Sequence, residues 1–348
     1  MYSKKALLAT GAAAALLAVA CTAQEQQRSE IWTLAFSGGK DSLDHRVAQR
    51  IKAGIEKEIP EVAMDLVAMD EKVGIARVVE GFRRDQVQIA VLSSDLLGQI
   101  APETMALGLP FLIRGPDHMK AVRFSGYGDR AIKKLQKAEM VWVGYFYSGQ
   151  RDVFGRVPVC SLQDLAGKKI AIPDDPVIEE TWKVLGAKPM VVAQQELNKA
   201  FQQGKIDLAE GAPNVYLDRK TYGAAPYYSR IKYAPVWSGI FVSNRAWNLR
   251  GYKRRWKVDR AIKAARAYAL KAEVSQSQVL GQRFRSVGSI EVCVPDDLAR
   301  WEDLVTRAHK DILKRAGFPG SAFTSLDAAV RGGQEAPEYA DDWLNEED

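Results

Sequence analysis

Cysteine and histidine are the scarce residues of this chain, three of each in 348. Three cysteines cannot form a disulfide scaffold, and three histidines argue against a multi-histidine metal site. No internal sequence repeat is visible. Apolar content is not low: 47% of residues are hydrophobic and 26% charged, which excludes a largely disordered or collagen-like chain. The length suits two domains of ordinary size, each able to bury its own core. Net charge is +6, but residues 334–348 hold seven acids and no Lys or Arg, so without those seven charges the remainder stands at +13. A basic body favours anionic ligands, lipid headgroups or nucleic acid, and charge alone does not choose among them. Nucleic acid is set aside as a partner, because Lys and Arg are scattered through helical stretches such as 253–271 with no recognised binding module.

The first 20 residues place Lys4 and Lys5 before an alanine-rich apolar run, the layout of a secretory signal. The run is too short and too rich in alanine for a membrane span, which needs ~20 strongly apolar residues. It ends in Ala18, Val19, Ala20 and Cys21, which resembles the bacterial lipoprotein cleavage box, in which cysteine becomes the lipidated first residue of the mature protein. A plain secretory signal with an incidental cysteine is the alternative. Either reading places the folded part outside the cytoplasm, and the first also places it on a lipid bilayer through Cys21. Residues 21–30 read as a polar tether and 331–348 as an acidic disordered tail. Cys160 and Cys293 then remain as a disulfide pair or as two buried thiols, and the sequence leaves both open.

Strands and helices alternate along the rest. Residues 31–36, 62–68 and 88–93 read as strands, with helices at 44–59 and 75–84 between them; Val47, Ile51 and Ile55 recur four apart. This rhythm predicts an open, mostly parallel sheet with helices on both faces, whose ligands sit beyond the carboxyl ends of the strands. The turns at Phe36, Ser37 and Lys40, and at Ser94 and Asp95, are therefore candidate site lining. A helix at 118–138 precedes strands at 140–146 and 157–160, which flank a loop holding Gly149 and Arg151. A second α/β unit follows: strands at 169–173, 189–192 and 206–209, helices at 177–185 and 196–203. A further strand at 238–244 leads to an uninterrupted helix at 254–280, about 40 Å long at ~1.5 Å per residue.

One segment argues for catalysis. Residues 37–42 (SGGKDS) resemble the pyrophosphate-binding loop of ATP pyrophosphatases, with a strand before and a helix after. Lys40 could hold a phosphate. The loop follows an export signal closely, however, and a strand–turn–helix with Ser and Gly at the turn needs no phosphate.

A longer series of residues points elsewhere. Residues 107–114 (LGLPFLIR) with His118, then 164–170 (DLAGKKI), 185–189 (LGAKP), Glu196, 200–207 (AFQQGKID), Glu210, Pro213 and Trp247 occur in order. From 31 to about 314 the chain resembles the periplasmic solute-binding subunits of TRAP transporters, the DctP-like family. The resemblance implies an α/β, two-lobed periplasmic-binding-protein fold with a long helix spanning both lobes. Lobe I would comprise 31–148 with 238–285, and lobe II 149–237 with 286–330. It further implies a small organic solute held between the lobes and delivered to TRAP permease membrane subunits, with no catalytic residues, no cofactor and no metal. Closure follows because the solute contacts both lobes and so favours the closed state. The same fold serving an ABC transporter or a sensor is a further alternative.

Two departures from the family bear on the solute. Ala171 stands where many relatives carry an arginine that grips a carboxylate in a bidentate fork, and Gly211 follows Glu210 where an asparagine is usual, with Asn214 a substitute after a small shift. A second family arginine matches Arg151, either as a clamp or as a hinge salt bridge. If Arg151 or Lys40 supplies positive charge, the solute is an anion. Otherwise Ala171 opens room for an uncharged or more apolar solute, covered by Phe146, Trp182, Tyr216 and Trp237. The second type is favoured, since replacing a forked cation by a methyl group changes greatly what a buried site tolerates.

Overall fold

Strand β1 (Glu30–Phe36) turns into helix α1 (Leu43–Glu58) at Gly38, which takes a left-handed φ of +79°. Ser42 starts the helix by accepting the His45 N–H at 3.1 Å. Val47, Ala48, Ile51 and Ile55 are buried on one face of α1, against the sheet. The computed structural model describes residues 30–332 except 40–41, 70–73, 114–115, 249–250 and 320, and excepting the side chains of 116–117, 148, 214 and 273–281.

The same rhythm continues through β2 (Val62–Ala68), α2 (Ile75–Arg83), β3 (Ile89–Ser93) and the short α3 (Ser94–Leu97). Next come α4 (Pro116–Arg123), α5 (Gly126–Lys137), β4 (Met140–Gly155), β5 (Lys169–Ile172), α6 (Pro176–Val184), β6 (Lys188–Val191), α7 (Leu197–Gln202), β7 (Leu208–Gly211) and α8 (Pro213–Asp218). The chain ends with β8 (Tyr227–Ser243), α9 (Asn244–Asn248), α10 (Tyr252–Val287), β9 (Glu291–Cys293), α11 (Leu298–Arg315) and α12 (Ser321–Gly332).

The strands form one sheet in the order β2-β1-β3-β8-β4-β7-β5-β6, with β9 beside β8. Its two flanks are parallel, as expected, but β3–β8, β8–β4 and β4–β7 are antiparallel. The expectation of a mostly parallel sheet therefore fails at its centre. Two long strands, β4 and β8, run the width of the molecule in opposite senses and join a first half (β1–β3) to a second (β5–β7). β4 absorbs the segment read as a loop, and 157–160 is not a strand. The helix expected at 118–138 is two helices, split where Ser125 accepts the N–H groups of Tyr127 and Gly128.

Bulges mark the crossing. Register shifts fall between Tyr147 and Gly149 and between Arg151 and Val153. Opposite the second, β8 loops out residues 230–233, with Lys232 at φ +53°. The Asp152 carboxylate holds this loop by accepting the N–H groups of Ile231 and Lys232 at 2.7 Å each and the Tyr228 hydroxyl at 2.8 Å. The Phe111 N–H donates to the Tyr233 carbonyl at 2.8 Å, and the Pro110 carbonyl lies 2.8 Å from His309 Nε2 of α11. The Leu-Pro-Phe segment is thus pinned between the β8 loop and a C-terminal helix.

Helix α10 has 36 residues, about 54 Å at ~1.5 Å per residue, and extends beyond the expected 254–280 at both ends. Its early part packs so closely on α1 that a Cβ added to Gly54 would lie 2.9 Å from the Ala261 Cβ. Its far end places Phe284 and Val287 against the cluster of Tyr216 and Tyr228 in the second half. The helix therefore touches both halves. Cys160 and Cys293 are joined by a disulfide, which ties β9 to the loop after β4. Among the described residues, no helix is long and apolar enough to cross a membrane. Cys21, the tether up to residue 29 and the tail from 333 lie outside the described residues.

Candidate functional site

The carboxyl ends of β1 and β3 meet the second half where the sheet narrows to β4 and β8. Ser37, at the end of β1, accepts the Ser93 N–H at 2.8 Å and donates its hydroxyl to Asp44. Ser238 of β8 donates to the other Asp44 oxygen at 2.8 Å. Asp44 is buried, and desolvation, aided by the nearby charge of Asp95, pushes its carboxyl up to about 6 despite the two hydroxyls.

Arg151 carries the link between halves. Its Nη2 donates to Asp95 at the start of α3, and its Nη1 donates to both Glu210 oxygens at 2.8 and 2.9 Å. The Tyr233 hydroxyl completes the Glu210 shell at 2.6 Å. The loop in β8 puts Tyr233 there, and the bulge in β4 turns Arg151 and Asp152 to separate tasks. Burial raises the Glu210 carboxyl even with Arg151 and Tyr233 opposing. Asp175 caps α6 by accepting the N–H groups of Val177 and Ile178 at 2.8 and 3.2 Å. Its carboxyl is raised to about 6, mainly by desolvation, and it senses the charges of both Asp95 and Arg151.

Of the residues expected to line a site, Ser37 belongs to the hydrogen-bonded set around Asp44, and Asp95, Arg151 and Glu210 form a neighbouring ion-paired set that acts on Asp44 through the charge of Asp95. Ser94 opens α3 beside it. Trp182 is fully buried and meets the Tyr233 ring edge-on at 5.2 Å. Phe36 and Phe146 lie in the core of the first half, with Phe36 stacked on His45 at 4.8 Å. Trp237 is buried and stacked on Trp142 at 5.5 Å. Tyr216 is wholly buried in the second core, its hydroxyl donated to the Ala225 carbonyl at 2.9 Å, and Ala171 is 1% exposed in the same cluster. Lys40 and the side chain of Asn214 lie outside the described residues. Asp44, Asp175, Tyr233 and Ser238 were not foreseen.

The SGGKDS loop spends its described hydroxyls within the protein: Ser42 caps α1 and Ser37 bridges Asp44 to β3. Among the described residues, no cluster of three or more His, Cys, Asp or Glu has the makings of a metal site.

A one-sheet α/β protein in two halves, crossed twice by long strands and once by a long helix, with a polar cluster between halves, has the form of a binding protein. Residues 39–316 match the family described as bacterial extracellular solute-binding protein, family 7. A solute-binding protein of Sulfitobacter sp. strain NAS-14.1 is 25% identical over 298 residues, covering 84% of this chain and 88% of that one. The fold is similar to a TRAP periplasmic solute-binding protein of Xanthobacter autotrophicus solved with β-D-galacturonate: TM-score 0.74, 20% identity, covering 88% of this chain and all of the other. A TRAP periplasmic solute-binding protein of Chromohalobacter salexigens solved with D-glucuronate superposes with TM-score 0.75 at 18% identity, covering 88% and 100%. The chain belongs to the DctP family of bacterial extracellular solute-binding proteins.

Proposed function

We propose that this protein is the extracytoplasmic solute-binding subunit of a TRAP-type transporter, closing on a small organic solute and releasing it to membrane permease subunits. The observation that carries the reading is the Arg151 ion pair with Asp95, which links the two halves at their junction, in a chain of this family. Lobe I is assigned to 31–148 with 238–285 and lobe II to 149–237 with 286–330. Hinge motion is assigned to the bulged stretch around Gly149, whose φ is +117°, and to the facing part of β8. Cys21 is assigned as the lipid anchor on the strength of the residues that precede it.

The solute is assigned to the uncharged class. A methyl group occupies position 171, and the guanidinium of Arg151 is engaged by Asp95 and Glu210. A carboxylate entering this cluster would meet Asp44, Asp95, Asp175 and Glu210 with no described cation left over. A thermal-shift screen tests this. Uncharged sugars and polyols are expected to include one that raises Tm by about 4 °C near a hundredfold of its Kd. A larger shift with D-galacturonate or succinate that Arg255→Gln retains would overturn the assignment of solute class, and no shift with any small organic solute would overturn the binding role.

A further inference from the structure

The first half holds a cavity lined by none of the residues of the cleft cluster. It measures about 500 Å³, a volume within the ~300–1,000 Å³ range of small-molecule sites. Arg123, Gln136, Trp142, Asn244, Asn248 and Arg255 are among its lining residues, and no Asp or Glu is. Trp142 stands nine positions before Arg151 on the same strand, so roughly 30 Å of extended chain separates this cavity from the cleft cluster.

Its two arginines have no acid at contact distance, although Asp129 acts on Arg123 and Asp259 on Arg255 through space. The guanidinium of Arg123 lies 5.0 Å over the Trp142 ring and 5.4 Å from that of Phe124, and it donates to the Trp142 carbonyl at 3.3 Å. The guanidinium of Arg255 lies 4.7 Å over the Trp247 ring. Neither forms an ion pair with a described acidic side chain. Both are half-buried, and both indoles beneath them are nearly closed to solvent, at 3% and 4% exposure. The aromatic faces are therefore spent on fixing the guanidinium planes and are not open for stacking a ligand. What remains to the cavity is N–H edges from two cations, with amide groups from Gln136, Asn244 and Asn248. Asn248 donates its amide N–H to the Asn244 oxygen, which orders that pair.

Two like charges beside one partly desolvated cavity repel each other, and an oxyanion removes that repulsion while accepting from both forks. We propose that this cavity is a binding site for a small organic oxyanion, a carboxylate or phosphate monoester, separate from the solute cleft. The shared recognition chemistry is the oxyanion head, free in solution or displayed on an anionic lipid.

The probes are sn-glycerol 3-phosphate, glycerol, and vesicles of phosphatidylglycerol or phosphatidylcholine, with the full folded chain, followed by calorimetry and by the fluorescence of Trp142 and Trp247. The phosphate ester is expected to bind with Kd near or below about 1 mM and to weaken with added salt, while glycerol does not bind. Arg255→Gln is expected to weaken it about tenfold or more. Binding to phosphatidylglycerol vesicles only, lost in the same variant, assigns the head to a lipid; binding of the soluble ester assigns it to a free metabolite. Absence of both, or equal affinity in wild type and Arg255→Gln, overturns the site. Arg123→Lys serves as a second variant, since it keeps the charge but loses the fork, and an unchanged affinity there would overturn the two-arginine geometry. A cleft ligand found by the thermal-shift screen should bind Arg255→Gln as it binds wild type, which keeps the two sites apart.

Discussion

Arg151 and Arg123 are both withdrawn from water, yet one faces two carboxylates and the other two aromatic rings and a carbonyl. In the cleft the described acids outnumber the described cations, so burying a guanidinium there balances charge. In the rear cavity burial lowers the Arg123 pKa from the usual guanidinium range, with Asp129 and Tyr145 opposing it through space, and the aromatic rings take the place of a contacting acid. An arginine in a binding protein is thus no clamp by residue type alone. Its partner list decides whether it can still accept a guest.

The largest effect expected from breaking this contrast is on the cleft side. Arg151→Met removes the partner of a wholly buried Glu210 and should cost about 3–5 kcal/mol of stability in urea unfolding, because an uncompensated buried charge is left behind. Glu210 would then hold a proton in the folded state at a pH where the unfolded chain has lost it. The variant should therefore gain stability, relative to wild type, as pH is lowered. Adding Glu210→Gln should return part of the loss, since the amide needs no counter-charge. If the single variant unfolds at the wild-type midpoint, Arg151 is not compensating a buried acid and the contrast fails.

A smaller effect is expected at Asp44. Its folded pKa, about 6, lies above the unfolded value near 4, so the folded state binds the extra proton. Stability from this residue is full below pH 4, falls as pH rises from about 4 to 6, and is flat above. Asp44→Asn should abolish that slope, stabilising the protein at pH 7 by about 2–3 kcal/mol relative to wild type, with no gain at pH 4. Asp175, raised likewise, keeps its own part of the slope in both proteins. A gain that is the same at both pH values would show that Asp44 is ionised in the folded state throughout.

What the sequence showed and hid follows the same physics. The parallel flanks were readable because β1, β2 and β3 are apolar runs separated by helices with apolar residues four apart. The crossing strands were not: β8 begins with YYSRIKYAP, where a loop and Pro235 interrupt any alternation, so only its last third was recognised. That failure concealed Tyr233; Ser238 opens the recognised part, but nothing in the chain marks its hydroxyl as a partner of Asp44. Asp44 and Asp175 were hidden differently, since an acid in a first helical turn or before a proline reads as a helix start and nothing more. Arg151, Asp95 and Glu210 were each legible as candidates, but their mutual pairing depends on a bulge that leaves no pattern in the chain. Helix α11 carries Trp301, Val305, His309 and Ile312 at helical spacing and could have been found by the same periodicity that found α1.

The smallest effect belongs to the rear cavity. Arg255→Gln forfeits one cation–π contact at a half-exposed position, about 0.5–1 kcal/mol, and relieves repulsion with Arg123, so the unfolding midpoint in a buffer without multivalent anions should barely move. Added sn-glycerol 3-phosphate should then raise the wild-type midpoint and leave the variant's in place, since only the folded state with both arginines carries the site. Arg151→Met should show the reverse pattern: a large loss on substitution, with the wild-type response to the anion kept, because both rear arginines are still in place. If Arg255→Gln instead costs as much as Arg151→Met, the rear arginine is structural, and its lack of an acid partner reflects packing alone.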